Sequence, residues 1–240
     1  MGARNLKNLK NKLPDFPRTP HLPHKPNTVT GDFVSSEAEV AVLFSPGSAH
    51  VSVQEKIDGA NCGIAYIDDH PVIRNRTKIL TKGFYKDTQA KKQFLPTWNW
   101  AHENKKKFQE LEACYPDLTV YGEWMQMAHG LRYDQLPDWF IAYDLYDQVA
   151  GKFLSPHVGI PMLQFCGFAI APEILTGAVL SWEQLEEACN QRTLFSSTEI
   201  REGIYVKVAD DHFVTARHKM VREGFKQGGL WEQGLKNALK

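Results

Sequence analysis

Neither sign of charge dominates this sequence. Lysine and arginine together number 28 and aspartate and glutamate also 28, so no global positive field gathers polyanions and any nucleic-acid contact has to be local. The cysteines are few and scattered. Cys62, Cys114, Cys166 and Cys189 form no CxxC pair, which excludes a zinc ribbon and a dithiol redox site and leaves buried, reduced thiols as the expectation. No charged-then-apolar leader is present and no apolar run nears the roughly 18 residues a membrane span requires. A soluble, cytoplasmic protein without membrane contact is therefore expected. Met1-Gly2 does not begin a myristoylation signal, because Leu6 stands where serine or threonine is needed. Glycine-rich loops of the GxGxxG or Walker type are missing, as are internal repeats, so phosphate chemistry would have to rest on side-chain cations.

What is present is an ordinary globular composition, 42% hydrophobic and 23% charged, in a chain of 240 residues that suits one domain with a small appendage. Arg4, Lys7, Lys10 and Lys12 precede the first acid, Asp15, giving a basic start that either touches phosphates or is simply solvated. Pro14, Pro17, Pro20, Pro23 and Pro26 recur every third residue and forbid regular helix. Residues 1–30 are accordingly read as an extended arm on a domain of residues 31–240. Phe16 and Leu22 look like its anchors, the alternative being a proline-rich ligand for a partner.

Val51 to Lys56 alternates as a strand, Asp58-Gly59 forms a tight turn, and Cys62 to Ile67 makes the next strand. Further strands are expected at Val72 to Arg76, Leu118 to Trp124, Trp139 to Tyr146, Ile204 to Val208 and Phe213 to His218, all rich in β-branched or aromatic residues. Ser181-Trp-Glu-Gln184 has the form of a capping box and opens a helix through Leu185, Ala188 and Cys189. Lys91 to Cys114 reads as helical with an interruption at Pro96, and Gly229 to Leu239 as a third helix. Strands joined by short turns, with a few helices between, predict an α+β fold of mainly antiparallel sheets.

The chemistry centres on Glu55-Lys56-Ile57-Asp58-Gly59-Ala60-Asn61. A lysine at a strand end, followed by an acid and a glycine turn, can be projected rigidly into a cleft, although Lys-x-Asp-Gly also occurs as a plain exposed turn. Downstream, in order, stand Arg76, Glu123 in Val-Tyr-Gly-Glu-Trp, Tyr143-Asp144, Glu202 with Lys207 in Glu-Gly-Ile-Tyr-Val-Lys, and Arg217-His218-Lys219.

This ordered set resembles the covalent nucleotidyltransferases, the superfamily of polynucleotide ligases and capping enzymes, over roughly Val51 to Phe225. The resemblance implies an adenylyltransferase domain in which Lys56 attacks the α-phosphate of ATP and keeps AMP as a phosphoramidate. A free lysine has a pKa of about 10.4, so its amine lies roughly 4.6 kcal/mol uphill at pH 7. Lys207 and Lys219 are expected to converge on Lys56, lower its pKa and neutralise the triphosphate. Mg2+, or Mn2+ in its place, is implied as a cofactor, with Glu123 and Glu202 as candidates to hold it or its waters. By the same resemblance Tyr143 stacks on the purine, Arg76 contacts phosphate, and Glu55, Ile57 and Arg217 line the nucleotide.

Asn61 and Glu55 resemble the phage and kinetoplastid RNA-repair branch, whereas DNA ligases and capping enzymes usually carry arginine at the first of these positions. The stretch after Lys219 is too short for an oligonucleotide-binding barrel, so none is expected. One departure is Arg217, where the family usually has lysine. The function implied is an ATP-dependent RNA ligase acting on RNA ends or a nicked RNA/DNA duplex, with no protein partner indicated. A DNA or mixed nick ligase and a non-catalytic nucleic-acid-binding relic are the alternatives.

Overall fold

The computed structural model describes residues 11–23, 33–45, 47, 49–80, 93–176, 180–226, 228–230 and 233–240. Its β-branched and aromatic runs form two antiparallel sheets. A six-stranded sheet has the order β4-β3-β2-β5-β6-β7, comprising β2 (Ala60–Ile67), β3 (His70–Asn75), β4 (Ile79–Leu80), β5 (Leu118–Trp124), β6 (Phe140–Asp147) and β7 (Lys152–Phe153). A four-stranded sheet has the order β10-β9-β1-β8, comprising β1 (His50–Lys56), β8 (Glu173–Thr176), β9 (Gly203–Ala209) and β10 (Val214–Val221). The predicted α+β class is therefore the one observed.

The predicted hairpin around Asp58-Gly59 is not. β1 pairs with β8 and β9, while β2 pairs with β3 and β5, so residues 57–59 carry the chain from one sheet to the other. Gly59 allows this crossing because a Cβ there would lie 2.5 Å from the Met125 sulfur and 3.1 Å from the Trp124 carbonyl oxygen. Asp58 secures it: one carboxylate oxygen accepts the backbone N–H groups of Gly130 and Leu131, and the Asp58 N–H donates to the Tyr133 hydroxyl.

Helices cover each sheet. On the larger one, α2 (Leu95–Glu103), α3 (Lys105–Cys114) and α4 (Pro156–Phe165) bury Trp98, Trp100, Phe108, Leu111 and Leu163 against Ile64, Val120 and Phe140. On the smaller, α1 (Glu37–Phe44) and α5 (Trp182–Cys189) pack Val40, Leu43, Leu185 and Ala188 against Val53, Ile204 and Val206. The Ser181/Gln184 capping box forms as expected, and Ser36 with Glu39 builds a second one that starts the unexpected α1. Pro96 stands in the first turn of α2 instead of interrupting it, a position where a missing N–H costs nothing, and the break falls at Asn104. The other unexpected helix, α4, carries Pro156 in its first turn and tolerates Pro161 inside. The helix predicted at Gly229 to Leu239 does not form in the described residues. Gly229 and Gly234 adopt positive φ, and the segment instead bridges Met127 with Lys236 and Leu136 with Leu239.

The arm packs onto this frame. Leu13, Phe16 and Leu22 are buried, and backbone bonds from Lys219 N–H to Pro20 and from Leu22 N–H to Lys219 lay the arm along the exposed edge of β10. Its first ten residues, with Arg4, Lys7 and Lys10, and residues 24–32 lie outside the described set. Cys62, Cys166 and Cys189 are buried and Cys114 exposed, all free thiols. Among the described residues no helix is long and apolar enough to cross a membrane.

Asn237 ties the C-terminal segment to the 125–133 loop: its amide oxygen accepts from Tyr133 N–H at 2.9 Å and its amide nitrogen donates to Met125 at 2.7 Å. Asn237→Ala leaves these buried groups unpaired and is expected to lower stability by about 1–3 kcal/mol, read from thermal unfolding.

Candidate active site

Lys56 ends β1 directly opposite Gly203, the first residue of β9, where a side chain would meet the Met220 carbonyl oxygen at 2.0 Å. The bare backbone at Gly203 lets β10 pack close beside it, and Glu202 just before it is buried against Lys56. Lys56 Nζ pairs with Glu202 Oε1 at 2.7 Å, and the carboxylate is almost wholly buried, leaving Oε2 without a hydrogen-bond partner. Burial alone would push the Lys56 ammonium down. The charge of Glu202, with Glu123 and Asp58 behind it, overrides burial and holds the Lys56 pKa above its ordinary value.

Glu123 approaches from the other sheet, on β5, paired in register with Asn61 on β2. The Tyr143 hydroxyl donates to Glu123 Oε1 at 3.3 Å and accepts from Asn61 Nδ2 at 2.5 Å. Glu123 Oε2 and Asn61 Oδ1 are buried and unpartnered. Burial, aided by the neighbouring Glu202 and Asp58 charges, pushes the Glu123 carboxyl up to about 8 against the pull of Lys56. Burial raises Glu202 to about 7, again against Lys56.

Lys207 stands elsewhere than expected. Its Nζ pairs with Asp144 Oδ1 at 2.8 Å and donates to Gln54 Oε1 at 2.6 Å and to the Tyr143 carbonyl at 2.7 Å, which occupies all three protons. Arg217 completes this second cluster through Nη1 to Asp144 Oδ2 at 2.6 Å. Burial, opposed by Asp144, brings Lys207 down to about 8. The expected lowering of the Lys56 pKa by Lys207 and Lys219 is thus not what the geometry produces: Glu202 is in contact with Lys56, and Asp144 engages Lys207.

The remaining candidates are dispersed around these clusters. Lys219 lies on β10 opposite Tyr205, and its charge reaches Glu202. Arg76 is exposed just past β3, while the buried guanidinium of that strand is Arg74, held by Asp15 and the Leu13 carbonyl. Glu55 is buried and its carboxyl raised by that burial, against Thr193 and the charge of Arg201. Ile57 turns its side chain into the cluster of Met125, Leu131 and Tyr133. Among the described residues no group of three or more histidine, cysteine or acidic side chains is arranged as a metal cage. The free oxygens of Glu123 and Glu202 suit a cation that takes its other ligands from water or phosphate, as Mg2+ does.

From the sequence Asp58 was only part of a turn and Phe16 only an anchor of the arm, and Gln54 was missed. Gln54 is buried in β1 beside the equally buried Glu55, and nothing in the alternation of that strand marked it out.

The model of the RNA ligase family matches residues 49–225. Among solved structures, the chain is 18% identical to the Naegleria gruberi RNA ligase with pyrophosphate, covering 87% of this chain and 60% of that one at a TM-score of 0.60. It is likewise 18% identical to a lysine-to-alanine mutant of that ligase with ATP and Mn, covering 78% of this chain and 53% of that one at a TM-score of 0.59. The chain thus spans between half and two thirds of those proteins, and at this identity the likeness is one of fold. No curated protein sequence matches it. With Lys56, Glu123, Glu202 and Lys219 all inside the matched span, the chain belongs to the RNA ligase family.

Proposed function

We propose that the protein is an ATP-dependent RNA ligase that joins a 5′-phosphate to a 3′-hydroxyl through a lysyl-AMP intermediate. The observation that carries this reading is a lysine at the meeting of two sheets, paired with the buried Glu202 and within the field of Glu123, each carboxylate keeping one buried, unpartnered oxygen. Once its ammonium proton has passed to solvent, Lys56 Nζ attacks the α-phosphorus of ATP, the bond to the bridging oxygen of the β-phosphate breaks, pyrophosphate leaves and the nitrogen sheds a second proton. An RNA 5′-phosphate oxygen then displaces Lys56, breaking the P–N bond and forming an adenylylated 5′ end. A 3′-hydroxyl next displaces AMP, loses its proton and closes the phosphodiester. Each step is an in-line displacement governed by positioning and charge.

Bound at Glu123 and Glu202, Mg2+ or Mn2+ would neutralise phosphate charge and weaken the carboxylates' hold on the Lys56 proton. Lys219 would supply phosphate contact and Arg76 would meet phosphate from the exposed rim. Asn61, fixed by Tyr143, would orient the ribose or phosphate through its free Oδ1. Tyr143 would orient Glu123 and Asn61 through its hydroxyl, while Lys207 Nζ lies over its ring, 5.5 Å from the centroid. Glu55 and the Ile57 backbone would flank the base. The free cysteines suit a reducing, cytoplasmic setting. A nicked RNA/DNA duplex is the substrate this proposal favours beside free RNA ends.

Incubation with α-labelled ATP and Mg2+ is expected to label the protein, and Lys56→Ala and Lys56→Arg to take no label; an unlabelled wild type, or a labelled Lys56→Ala, sinks the reading. Nicked duplexes with RNA or DNA flanking the break then fix the substrate, and sealing only 3′-DNA ends would make it a DNA ligase.

Glu123→Gln should lower adenylylation by about 10²-fold or more. The same change should stabilise the ligand-free protein. A carboxyl raised from 4.5 to about 8 contributes stability fully present below its unfolded value and lost as pH rises through its folded value. Wild type and variant should therefore unfold alike near pH 4, with the variant gaining on the order of a few kcal/mol by pH 8 and above. Equal stability of the two proteins at pH 9 would contradict the burial of that charge.

A further inference from the structure

The segment Lys12 to Leu22 precedes the family-matched residues 49–225, yet it reaches the centre of the site. It is fastened to both sheets. Thr119 donates to the Lys12 carbonyl at 2.7 Å and Tyr121 to the Pro14 carbonyl at 2.5 Å; Thr19 hydrogen-bonds the Tyr205 hydroxyl, and the β10 edge takes Pro20 to Leu22. Between these ties Phe16 is buried, 5.6 Å from Tyr143 in an edge-on contact and 5.6 Å from Phe153.

The Arg217 guanidinium lies over both phenylalanines, 4.2 Å from the Phe153 centroid and 5.4 Å from that of Phe16. Its Nη1 is fixed on Asp144, which also holds Lys207, while Nη2 is buried without a partner. A planar guanidinium stacks on ring faces and still donates in its own plane, which the tetrahedral ammonium of lysine cannot do. That accounts for arginine at a position where the family resemblance leads one to expect lysine.

We propose that Phe16 is a positioning residue for nucleotidyl transfer: with Phe153 it clamps Arg217, and through Arg217 it fixes Asp144, Lys207 and the backbone of Tyr143 beside Glu123. The arm is then a working wall of the nucleotide site. This rests on the ligase reading above, because the effect is read in lysyl-AMP formation.

The test is a double-mutant cycle on the full chain, with Phe16→Met, Phe16→Leu, Arg217→Lys and the Phe16→Met/Arg217→Lys pair. Single-turnover adenylylation is measured across ATP concentrations, well below each variant's own melting temperature. Both Phe16 variants are expected to lose about 3- to 30-fold in rate at saturating ATP, with a smaller change in the half-saturating concentration. Arg217→Lys should lose a similar amount, and the pair no more than Arg217→Lys alone. Full rate in Phe16→Met, or losses that multiply in the pair, overturns the proposal. A wild type that takes no label would instead overturn the ligase reading, so the two failures are separable.

Discussion

A lysine and a glutamate buried in contact are costly to desolvate, and the interaction repays that cost only where geometry is fixed and the remaining polar atoms have work to do. The Lys56–Glu202 pair meets the first condition through the backbone. Lys56 is the last residue before the chain leaves the small sheet, and Glu202 immediately precedes the strand beside it. Gly203 admits the close approach, Gly59 admits the crossing, and Asp58 pins the crossing to the 125–133 loop that Asn237 holds from the other side. Loosening any of these would move the lysine relative to Glu123 on the second sheet.

The second condition divides the charges into two clusters. Around Lys56, Glu202 and Glu123 each keep an unpartnered oxygen, whereas Lys207, Asp144 and Arg217 satisfy one another except at Arg217 Nη2. The first cluster has spare valence for a ligand and the second has the character of a support. Tyr143 joins them, with its hydroxyl between Asn61 and Glu123 and its carbonyl on Lys207. A change in either cluster is therefore felt in the other through one residue of β6.

The strands were the most legible part of the sequence because side-chain alternation and β-branching are local properties. Leu118–Trp124 is found with the predicted bounds and the other predicted strands shift by a residue or a few, while the short β4, β7 and β8 were not anticipated. Which strands pair is not local: the turn at Asp58-Gly59 has hairpin chemistry, yet the close approach of Gly59 to Met125 and Trp124 and the bonds of Asp58 to Gly130, Leu131 and Tyr133 make it a passage between sheets. Helix α1 was hidden although its capping box was in plain view, and the apparent C-terminal helix gives way to backbone bridges that Asn237 anchors. At the site, the ordered motifs brought out Lys56, Glu123 and Glu202, but a sequence carries no distances. Counting cations suggested repulsion at Lys56, while the structure gives each buried lysine an acid of its own.

Contact with Glu202 keeps Lys56 protonated in the ligand-free protein. Titration of the lysine side-chain amines by NMR, with the Lys56 signal assigned by its loss in Lys56→Arg, reads it directly. A Lys56 pKa above the ordinary lysine value of about 10.4, falling in Glu202→Gln, is the result predicted here. A Lys56 pKa below that value in the wild type, or one unmoved by Glu202→Gln, would contradict it.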